Sequence, residues 1–224
     1  MTVLTVQGLV AGYAGARIVT GLDLEIKPGE VVALLGRNGA GKSTAVSAIT
    51  GTLTCMSGTV AIGDVDVTKA QPSRRFQLGM RSVRQDQPIL RDLTVAENLS
   101  LVESSKEAAA DSFPFIAERS QQRAGTLSGG EQKMLAVART AANPGTLWIL
   151  DEPSEGLQPM NVDRCAQLIR DAAARGVGVL LVEQHIGMAL AVADRWLVME
   201  TGAVIDQGRV TSKTFETVSR RLAV

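Results

Sequence analysis

The chain has 224 residues, and its 23 lysines and arginines balance its 23 aspartates and glutamates, so the formal net charge is zero. This balance argues against a protein that mainly coats nucleic acid or an anionic membrane, because both partners require a positive surface. Hydrophobic residues make up 45% of the chain, which excludes disorder as its main state, and no apolar run approaches the roughly 18–20 residues that cross a bilayer.

Short β-like runs alternate with turns at the start of the chain. Val3–Val6 and Leu22–Ile26 have the period-2 apolar spacing of strands. Val31–Leu35 is a continuous apolar run, which is typical of a strand buried on both faces of a parallel sheet. A glycine-rich loop follows directly, and a helical pattern then extends to about Thr50. This order predicts a strand, a loop and a helix in immediate succession.

The rest of the chain alternates between the two periodicities. The predicted strands are Thr59–Ile62, Arg81–Val83, Leu147–Leu150, Val177–Val182 and Trp196–Glu200. The predicted helical segments are Pro72–Leu78, 92–143, Met160–Arg175 and Gly187–Ala193. Two Ser/Thr-x-x-Glu capping boxes, which begin at Thr94 and Ser128, mark helix starts inside the long helical region. Alternation of this kind predicts an α/β fold with a mostly parallel sheet.

The glycine-rich loop reads Gly-x-x-x-x-Gly-Lys-Ser from Gly36 to Ser43, after a strand and before a helix. Glycines allow backbone N–H groups to turn towards phosphate oxygens, and the helix N-terminus attracts negative charge. Lys42 can reach the β- and γ-phosphates, and the Ser43 hydroxyl can bind Mg²⁺. The alternative is a turn that merely links strand to helix. The residues predicted to bind nucleotide here are Gly36, Arg37, Asn38, Gly39, Ala40, Gly41, Lys42, Ser43 and Thr44.

The apolar strand Leu147–Leu150 ends in two carboxylates, Asp151 and Glu152. We expect Asp151 to bind Mg²⁺ beside the phosphate loop, and Glu152 to polarise the water that attacks the γ-phosphate. A strand that ends in solvated acids is the alternative. Together with the upstream loop, the pair indicates a nucleoside triphosphatase that uses ATP and Mg²⁺.

The run Leu127–Gln132 reads Leu-Ser-Gly-Gly-Glu-Gln and precedes the carboxylate strand. It resembles the signature motif of ATP-binding cassette (ABC) ATPases. Ser128, Gly129 and Gly130 would form the N-terminus of a helix that offers free N–H groups to an anion. A helix cap without a ligand is the alternative. The resemblance implies that these three residues contact the ATP held by a second cassette, so that neither site is complete in one chain.

The resemblance also implies an architecture for the whole chain. The expected fold class is an α/β P-loop NTPase core, with an N-terminal antiparallel β subdomain and a small helical subdomain. The chain is expected to be a single ABC ATPase domain. Residues 1–85 and 144–224 would form the RecA-like core, and residues 86–143 the helical subdomain.

Three further positions match the family one by one. Tyr13, the only tyrosine, corresponds to the aromatic residue that stacks on adenine, with an ordinary turn tyrosine as the alternative. Gln85 corresponds to the glutamine that senses Mg²⁺ and the attacking water. His185, the only histidine, corresponds to the switch histidine that contacts the γ-phosphate. The resemblance thus implies a catalytic set of Glu152, His185, Gln85 and Lys42, and a metal set of Ser43, Gln85 and Asp151.

The runs 113–119 and 124–136, together with Asp151–Leu157, look like one subgroup of this family, the second ATPase subunit of branched-chain amino acid importers. Urea and amide importers are close relatives of that subgroup. The implied partners are a second ABC ATPase subunit, in a heterodimer or a homodimer, two membrane permeases and, indirectly, an extracytoplasmic solute-binding protein. No nucleic-acid partner is expected. The implied location is the cytoplasm, on the inner face of the membrane.

Some residues depart from the family pattern. Gln158 stands where the family has an aspartate that crosses the dimer interface, so communication between the two sites would differ. The segment between Gln85 and Leu127 is shorter than expected for the subgroup, and residues 104–106 lie where more helix is expected. This segment would form the surface that receives a permease. Residues 71–91 contain five arginines and one acidic residue, Asp86, so the segment is basic. This charge predicts either a solvated face or a docking surface for an acidic permease loop. The arginines are Arg74, Arg75, Arg81, Arg84 and Arg91.

Two other functions stay open at this point. The chain could be a cytosolic ABC ATPase that remodels nucleic acid or ribosomes, although it lacks the long insertions and basic patches of those relatives. It could also be a regulatory module that binds nucleotide without hydrolysing it. The presence of Lys42, Asp151 and Glu152 together argues against this function.

Overall fold

A computed structural model of the chain describes residues 2–85, 89–101, 112–143 and 145–222. The strands in these ranges are β1 (Leu4–Tyr13), β2 (Ala16–Ile26), β3 (Val31–Leu35), β4 (Ser57–Ile62), β5 (Val65–Asp66), β6 (Met80–Val83), β7 (Leu147–Asp151), β8 (Gly178–Glu183), β9 (Arg195–Glu200) and β10 (Ala203–Arg209). The helices are α1 (Lys42–Thr50), α2 (Pro72–Gln77), α3 (Val95–Ser100), α4 (Phe115–Glu118), α5 (Gly129–Ala142), α6 (Pro159–Ala174), α7 (Ile186–Val192) and α8 (Thr214–Leu222).

The strands form two sheets. An antiparallel sheet has the order β2-β1-β4-β5, and a larger sheet has the order β10-β9-β3-β8-β7-β6. Strands β6, β7, β8, β3 and β9 are parallel, and β10 pairs with β9 in the antiparallel direction at one edge. The predicted fold class, an α/β chain with an antiparallel β sheet and a mostly parallel one, is confirmed.

The central strands are buried on both faces, as their continuous apolar runs predict. In β3, Val32 and Leu34 belong to a core shared with the antiparallel sheet and α1, whereas Val31 and Leu35 belong to a second core shared with the other helices. Side chains of a strand point alternately to its two faces, so every residue of β3 is buried. The same alternation divides β7, β8 and β9 between the two cores.

The parallel arrangement brings the predicted motifs to one edge of the large sheet. Strands β3, β6, β7 and β8 run in the same direction, so their carboxyl ends lie side by side. The glycine-rich loop follows β3, Gln85 follows β6, Glu152 follows β7, and His185 follows β8 shortly after its end.

Most elements agree with the predictions, and the differences have physical causes. Both capping boxes are present, at the starts of α3 and α5. The strands β1 and β2 are longer than predicted, because register shifts near Gly8, whose φ is 56°, interrupt the period-2 pattern. The elements β5, β10 and α8 were not predicted. Asp86 and residues 104–106 lie outside the described residues. Within the described part of the chain, no helix is both long and apolar enough to span a bilayer.

Arg75 anchors the end of α1, the helix that begins at the phosphate loop. Its guanidinium is buried and donates hydrogen bonds to the carbonyl oxygens of Ala48 and Ile49 at the helix C-terminus, and of Thr68 and Ala70 in the next loop. This cation supplies charged donors to carbonyl groups at the C-terminus of the helix, where the backbone alone offers few donors and a positive charge is favourable. Among the five arginines of the basic segment, Arg75 is therefore not part of a solvated face or a docking surface.

We expect Arg75→Met to lower the free energy of unfolding by about 3 kcal/mol, because several buried carbonyl groups lose their charged donor. Urea denaturation of the variant measures this loss. The matched control is Arg74→Met, whose exposed side chain contacts Gln77 at 3.4 Å and should change stability by less than about 0.5 kcal/mol. Equal losses in the two variants would contradict this role of Arg75.

Candidate active site

The glycine-rich loop is the centre of the site. Gly39 and Gly41 have φ values of 80° and 102°, in the left-handed region that favours glycine. At Gly36 the constraint is space, because a Cβ atom would come within 2.5 Å of the carbonyl oxygen of Met199. The loop therefore adopts a backbone path that requires its glycines, and it leads directly into α1 at Lys42.

Lys42 lies inside the loop. Its side chain is only 4% exposed, and Nζ donates hydrogen bonds to the carbonyl oxygens of Gly36 at 2.8 Å and of Arg37 at 3.2 Å. The same ammonium lies 3.7 Å from Oε1 of Glu152. The Lys42 ammonium is thus enclosed between the loop backbone and the predicted catalytic carboxylate, where phosphate oxygens can replace these partners.

A cavity of about 290 Å³, which we call the Lys42 cavity, brings predicted residues from three motifs together. It is lined by Ile18, Asn38, Gly39, Gly41, Lys42, Ser43, Thr44, Gln85 and Glu152. Arg37 is exposed and Ala40 is buried in the same loop. Asp151, the last residue of β7, is 4% exposed and pairs with Val182 of β8.

Two amides hold the Glu152 carboxylate. Gln85 Nε2 donates to Oε2 at 3.1 Å, and Gln184 Nε2 donates to Oε1 at 2.6 Å. Glu152 is 3% exposed and has a φ of 51°, which is rare for a residue with a side chain. Such backbone strain persists only where surrounding contacts impose it, and it is concentrated at functional sites. The carboxylate is therefore held in one orientation from both sides.

Gln184 was not among the predicted site residues. A single glutamine carries no sequence signal of its own, but Gln184 directly follows β8, at the edge where the other motifs meet. We expect Gln184→Ala to lower kcat for ATP hydrolysis about tenfold, because a hydrogen bond to a charged group contributes about 1.5–3 kcal/mol. Steady-state kinetics with ATP measure this effect. The control Gln167→Ala, which removes an exposed contact to Asp171, should keep the parental kcat.

His185 begins the helix that follows β8. Its Nδ1 accepts the backbone N–H of Met188 at 3.1 Å, so the imidazole caps α7. In the neutral ring the proton is then on Nε2, which makes that nitrogen a donor. His185 is exposed and lines a second cavity of about 560 Å³, which we call the His185 cavity. Glu152, Gln184, Asn38 and the 154–157 turn also line this cavity.

Tyr13 lies apart from the residues that line the Lys42 cavity. It is 52% exposed at the end of β1, in a tight hairpin where Ala14 and Gly15 have φ values of 49° and 84°. Ile18, on the other strand of this hairpin, lines the Lys42 cavity. The hairpin therefore borders the cavity and presents its aromatic ring to solvent.

The signature residues are also outside that cavity. Ser128 caps α5: its Oγ accepts the N–H of Glu131 at 3.3 Å, and Glu131 Oε2 accepts the N–H of Ser128 at 2.9 Å. A Cβ atom at Gly130 would approach the carbonyl oxygen of Gly156 to 3.0 Å, whereas one at Gly129 would meet nothing within 4 Å. The start of α5 thus packs on the turn after Glu152 and leaves Gly129 open.

Two other residues at the site have no sequence signal. Lys133, on α5, contacts both the backbone of Glu152 and the side chain of Glu155. Glu183, which is 2% exposed, accepts the backbone N–H groups of Ser154 at 3.0 Å and of Gln184 at 3.2 Å. The contacts of Lys133 and the contact between Glu183 and Ser154 join segments 19 to 29 positions apart in the chain, so only the fold reveals them.

Comparisons with known proteins identify the family. A family model described as ABC transporter matches residues 19–155. The chain is 34% identical to BraG, a high-affinity branched-chain amino acid transport ATP-binding protein of Pseudomonas aeruginosa, over 86% of this chain and 87% of that protein. It is also 34% identical to LivF, a probable branched-chain amino acid transport ATP-binding protein of Archaeoglobus fulgidus, over 89% of each chain. Identity to LptB, the lipopolysaccharide export ATP-binding protein of Escherichia coli, is 32% over 94% of this chain and 92% of that protein.

Solved structures share the fold. A nucleotide-free ATP-binding cassette from an ABC transporter superposes with a TM-score of 0.85 at 24% identity, over 98% of this chain and 96% of that chain. A dimeric cassette bound to ADP and phosphate has a TM-score of 0.82 at 22% identity, over 93% and 99% of the two chains. With a family model that covers more than half of its length and relatives above 30% identity over most of it, the chain belongs to the ABC transporter family, as one of its ATP-hydrolysing cassettes.

Proposed function

We propose that this chain energises an importer of branched-chain amino acids. The observation that supports this substrate class is the similarity to BraG and LivF, at 34% identity over 86% and 89% of the chain. Both relatives are named for branched-chain amino acid transport. Because the solute is selected by subunits other than the cassette, this proposal concerns the complex in which the chain works.

In our proposal the phosphates of ATP occupy the Lys42 cavity. Lys42 would release the carbonyl oxygens of Gly36 and Arg37 and donate to the β- and γ-phosphates, while the loop N–H groups surround the phosphate oxygens. The exposed ring of Tyr13 would stack on adenine beside the cavity. The full set of loop residues from Gly36 to Thr44 would bind the nucleotide.

The donor groups of this site suit Mg²⁺. Ser43 and Gln85 line the Lys42 cavity. The amide nitrogen of Gln85 donates to the carboxylates of Glu152 and Glu155, which leaves its amide oxygen available for a metal. In the described part of the chain, no cluster of three or more His, Cys, Asp or Glu residues could hold a metal ion. This fits Mg²⁺, which prefers oxygen ligands and usually completes its shell with phosphates and water. Ser43, Gln85 and Asp151 would hold the ion, which supplies charge neutralisation at the phosphates.

Hydrolysis would proceed by attack of water on the γ-phosphorus, with loss of ADP. Glu152 would orient this water and take its proton, since Gln85 and Gln184 fix both oxygens of its carboxylate. His185 would donate from Nε2 to the γ-phosphate, because Nδ1 is occupied by the helix cap. A general base of this kind contributes about 10²–10⁴-fold to the rate.

We further propose that the chain works as a dimer on two permease subunits. The signature residues Ser128, Gly129 and Gly130 would complete the ATP site of the second cassette, in a homodimer or a heterodimer, because they lie outside this chain's own Lys42 cavity. We retain the division into a core of residues 1–85 and 144–224 and a helical subdomain of residues 86–143. An extracytoplasmic binding protein would deliver the solute, and the cassette would lie on the cytoplasmic face of the membrane.

A cavity of about 410 Å³ between α2, β6 and α5 supports a permease contact. Exposed Phe76 and Leu101 give it apolar walls, and Arg81, Arg84 and Arg139 give it positive charge. Burial lowers the pKa of Arg81 and of Arg139, so an acidic partner would stabilise both cations. An acidic loop of the permease is the partner that this surface fits.

Transport into proteoliposomes tests the proposal. The chain is purified with the permeases that accompany it, reconstituted with ATP inside, and supplied with radioactive leucine and the binding protein outside. ATP-dependent uptake of leucine is the expected result, and the same complex with Glu152→Gln should take up none. A complex that hydrolyses ATP and transports no leucine, isoleucine or valine would contradict the substrate class.

Export is the second candidate, since the chain is 32% identical to LptB over 94% of its length. In that case the chain would purify with permeases that extract a lipid, and labelled lipid would leave the vesicle membrane. Urea or amide uptake in the same assay would instead support the related importers. ATPase activity that is stimulated by nucleic acid or ribosomes would support a non-transport cassette. Absence of ATP turnover in the complete complex would support a regulatory module.

A further inference from the structure

Lys133 connects the signature helix to the turn that carries Glu152. Its Nζ donates to Oε2 of Glu155 at 2.8 Å and to two backbone carbonyl oxygens, those of Glu155 at 3.1 Å and of Glu152 at 3.2 Å. A lysine ammonium has three protons, and here it has three acceptors. The side chain of Lys133 is only 12% exposed.

Glu155 extends this connection to Gln85. Its Oε2 accepts Lys133 Nζ at 2.8 Å and Gln85 Nε2 at 3.1 Å, and the same Gln85 nitrogen also donates to Glu152 at 3.1 Å. The hydrogen bond from Lys133 lowers the pKa of Glu155, so this carboxyl group stays charged around neutral pH. We call Lys133, Glu155 and Gln85, with the backbone of Glu152, the Lys133 bridge.

The Lys133 bridge acts on Glu152, a site residue with a strained backbone conformation. Glu152 has a φ of 51°, a backbone conformation that is unfavourable for a residue with a side chain and that persists only where surrounding contacts impose it. Its N–H donates to the carbonyl of Val182 at 2.9 Å on one side, and its carbonyl accepts Lys133 on the other. These two backbone contacts come from β8 and α5, so the peptide of Glu152 is held between the core and the signature helix.

We propose that Lys133 is a positioning residue for ATP hydrolysis: it holds the 152–155 turn so that the Glu152 carboxylate faces the attacking water, and it ties this orientation to the helix that begins at the signature motif. The inference rests on the proposed role of Glu152 as the base. Lys133 acts through Glu152 and Glu155 and does not touch the nucleotide. Because Ser128 caps α5 and Gly129 begins it, a shift of the signature residues moves Lys133 and thereby the base of the same chain.

Steady-state kinetics of Lys133→Met in the complete complex test this inference. We expect kcat for ATP hydrolysis to fall about tenfold, because small misplacements of a catalytic group reduce rates strongly. The KM for ATP and the binding of a fluorescent ATP analogue should change less than twofold, since the Lys42 cavity does not include Lys133. Lys133→Arg, which restores charge and donors, should recover most of the rate.

A double-mutant cycle separates positioning from general destabilisation. Glu155→Gln should reduce kcat less than Lys133→Met, and the double variant should match Lys133→Met, because contacting residues in one network are not additive. The matched control is Lys213→Met, an exposed lysine next to α8, which should have the parental kcat. The inference would be overturned if kcat fell in proportion to the melting temperature across all variants and Lys133→Arg did not restore the rate.

The Glu152→Gln variant distinguishes this inference from the proposed base. If Glu152→Gln hydrolysed ATP at the parental rate, Glu152 would not be the base, and the inference about Lys133 would fail with that assignment. Inactive Glu152→Gln together with parental Lys133→Met would overturn only the role of Lys133.

Discussion

Glu152→Gln should lower the rate of ATP hydrolysis at least about 100-fold, because the variant loses the base that takes the proton from water. The amide has nearly the shape of the carboxylate, so the backbone at φ 51° and the contact to Gln85 can persist. ATP then binds without turnover, and the cassette should accumulate as an ATP-bound dimer. Phosphate release and size-exclusion chromatography with ATP measure the two effects.

A suitable control for this variant is Glu216→Gln, an exposed glutamate on α8. It should hydrolyse ATP at the parental rate and show no ATP-dependent dimer. Parental hydrolysis by Glu152→Gln would show that another group takes the proton, and a monomer that binds ATP tightly would show that the variant does not trap the dimer.

Lys42→Met should weaken ATP binding about 100-fold, because charge-assisted hydrogen bonds to the phosphates contribute about 1.5–3 kcal/mol each. The apolar replacement fills much of the same buried space beside Gly36, so the loop should keep its path. Isothermal titration calorimetry with ATP measures the dissociation constant. The binding loss should also abolish hydrolysis at ATP concentrations that saturate the parental chain.

Lys42→Arg provides the comparison for charge alone. The guanidinium is larger and planar, so it cannot occupy the enclosed position 3.2 Å and 2.8 Å from two loop carbonyl oxygens, and ATP affinity should still fall. Unchanged affinity in both variants would mean that the loop backbone alone holds the phosphates.

The elements that could be predicted from sequence are those whose residues are uniformly buried. The strands β3, β7 and β8 could be predicted because both of their faces contact a core, which leaves continuous apolar runs. The strand β10 could not, because it is an edge strand in which exposed residues alternate with half-buried ones, and this alternation does not follow polarity. The helix α8 has only two buried residues, Thr214 and Val218, so its apolar pattern is too sparse to distinguish from a loop.

The candidate site divides in the same way. The phosphate loop, the Asp151-Glu152 pair and the signature motif are local patterns, and their residue types follow from the chemistry of phosphate, Mg²⁺ and helix ends. Gln184 and Lys133 are defined by contacts to Glu152 across 32 and 19 positions of the chain. Such contacts depend on the order of strands and on the packing of α5, which no local pattern contains. For His185, a motif match alone could not reveal that one ring nitrogen caps α7.

The placement of β3 between β8 and β9 delays formation of the ATP site while the chain is being synthesised. The phosphate loop is complete after about 45 residues, but both neighbours of its strand come from residues 178–200. A nascent chain therefore holds a finished nucleotide motif without the sheet that supports it, until most of the chain has left the ribosome. Shortening the chain at residue 155, where the family match ends, would remove both neighbours of β3. The sheet that supports the phosphate loop can thus be completed only after β8 and β9 have been synthesised.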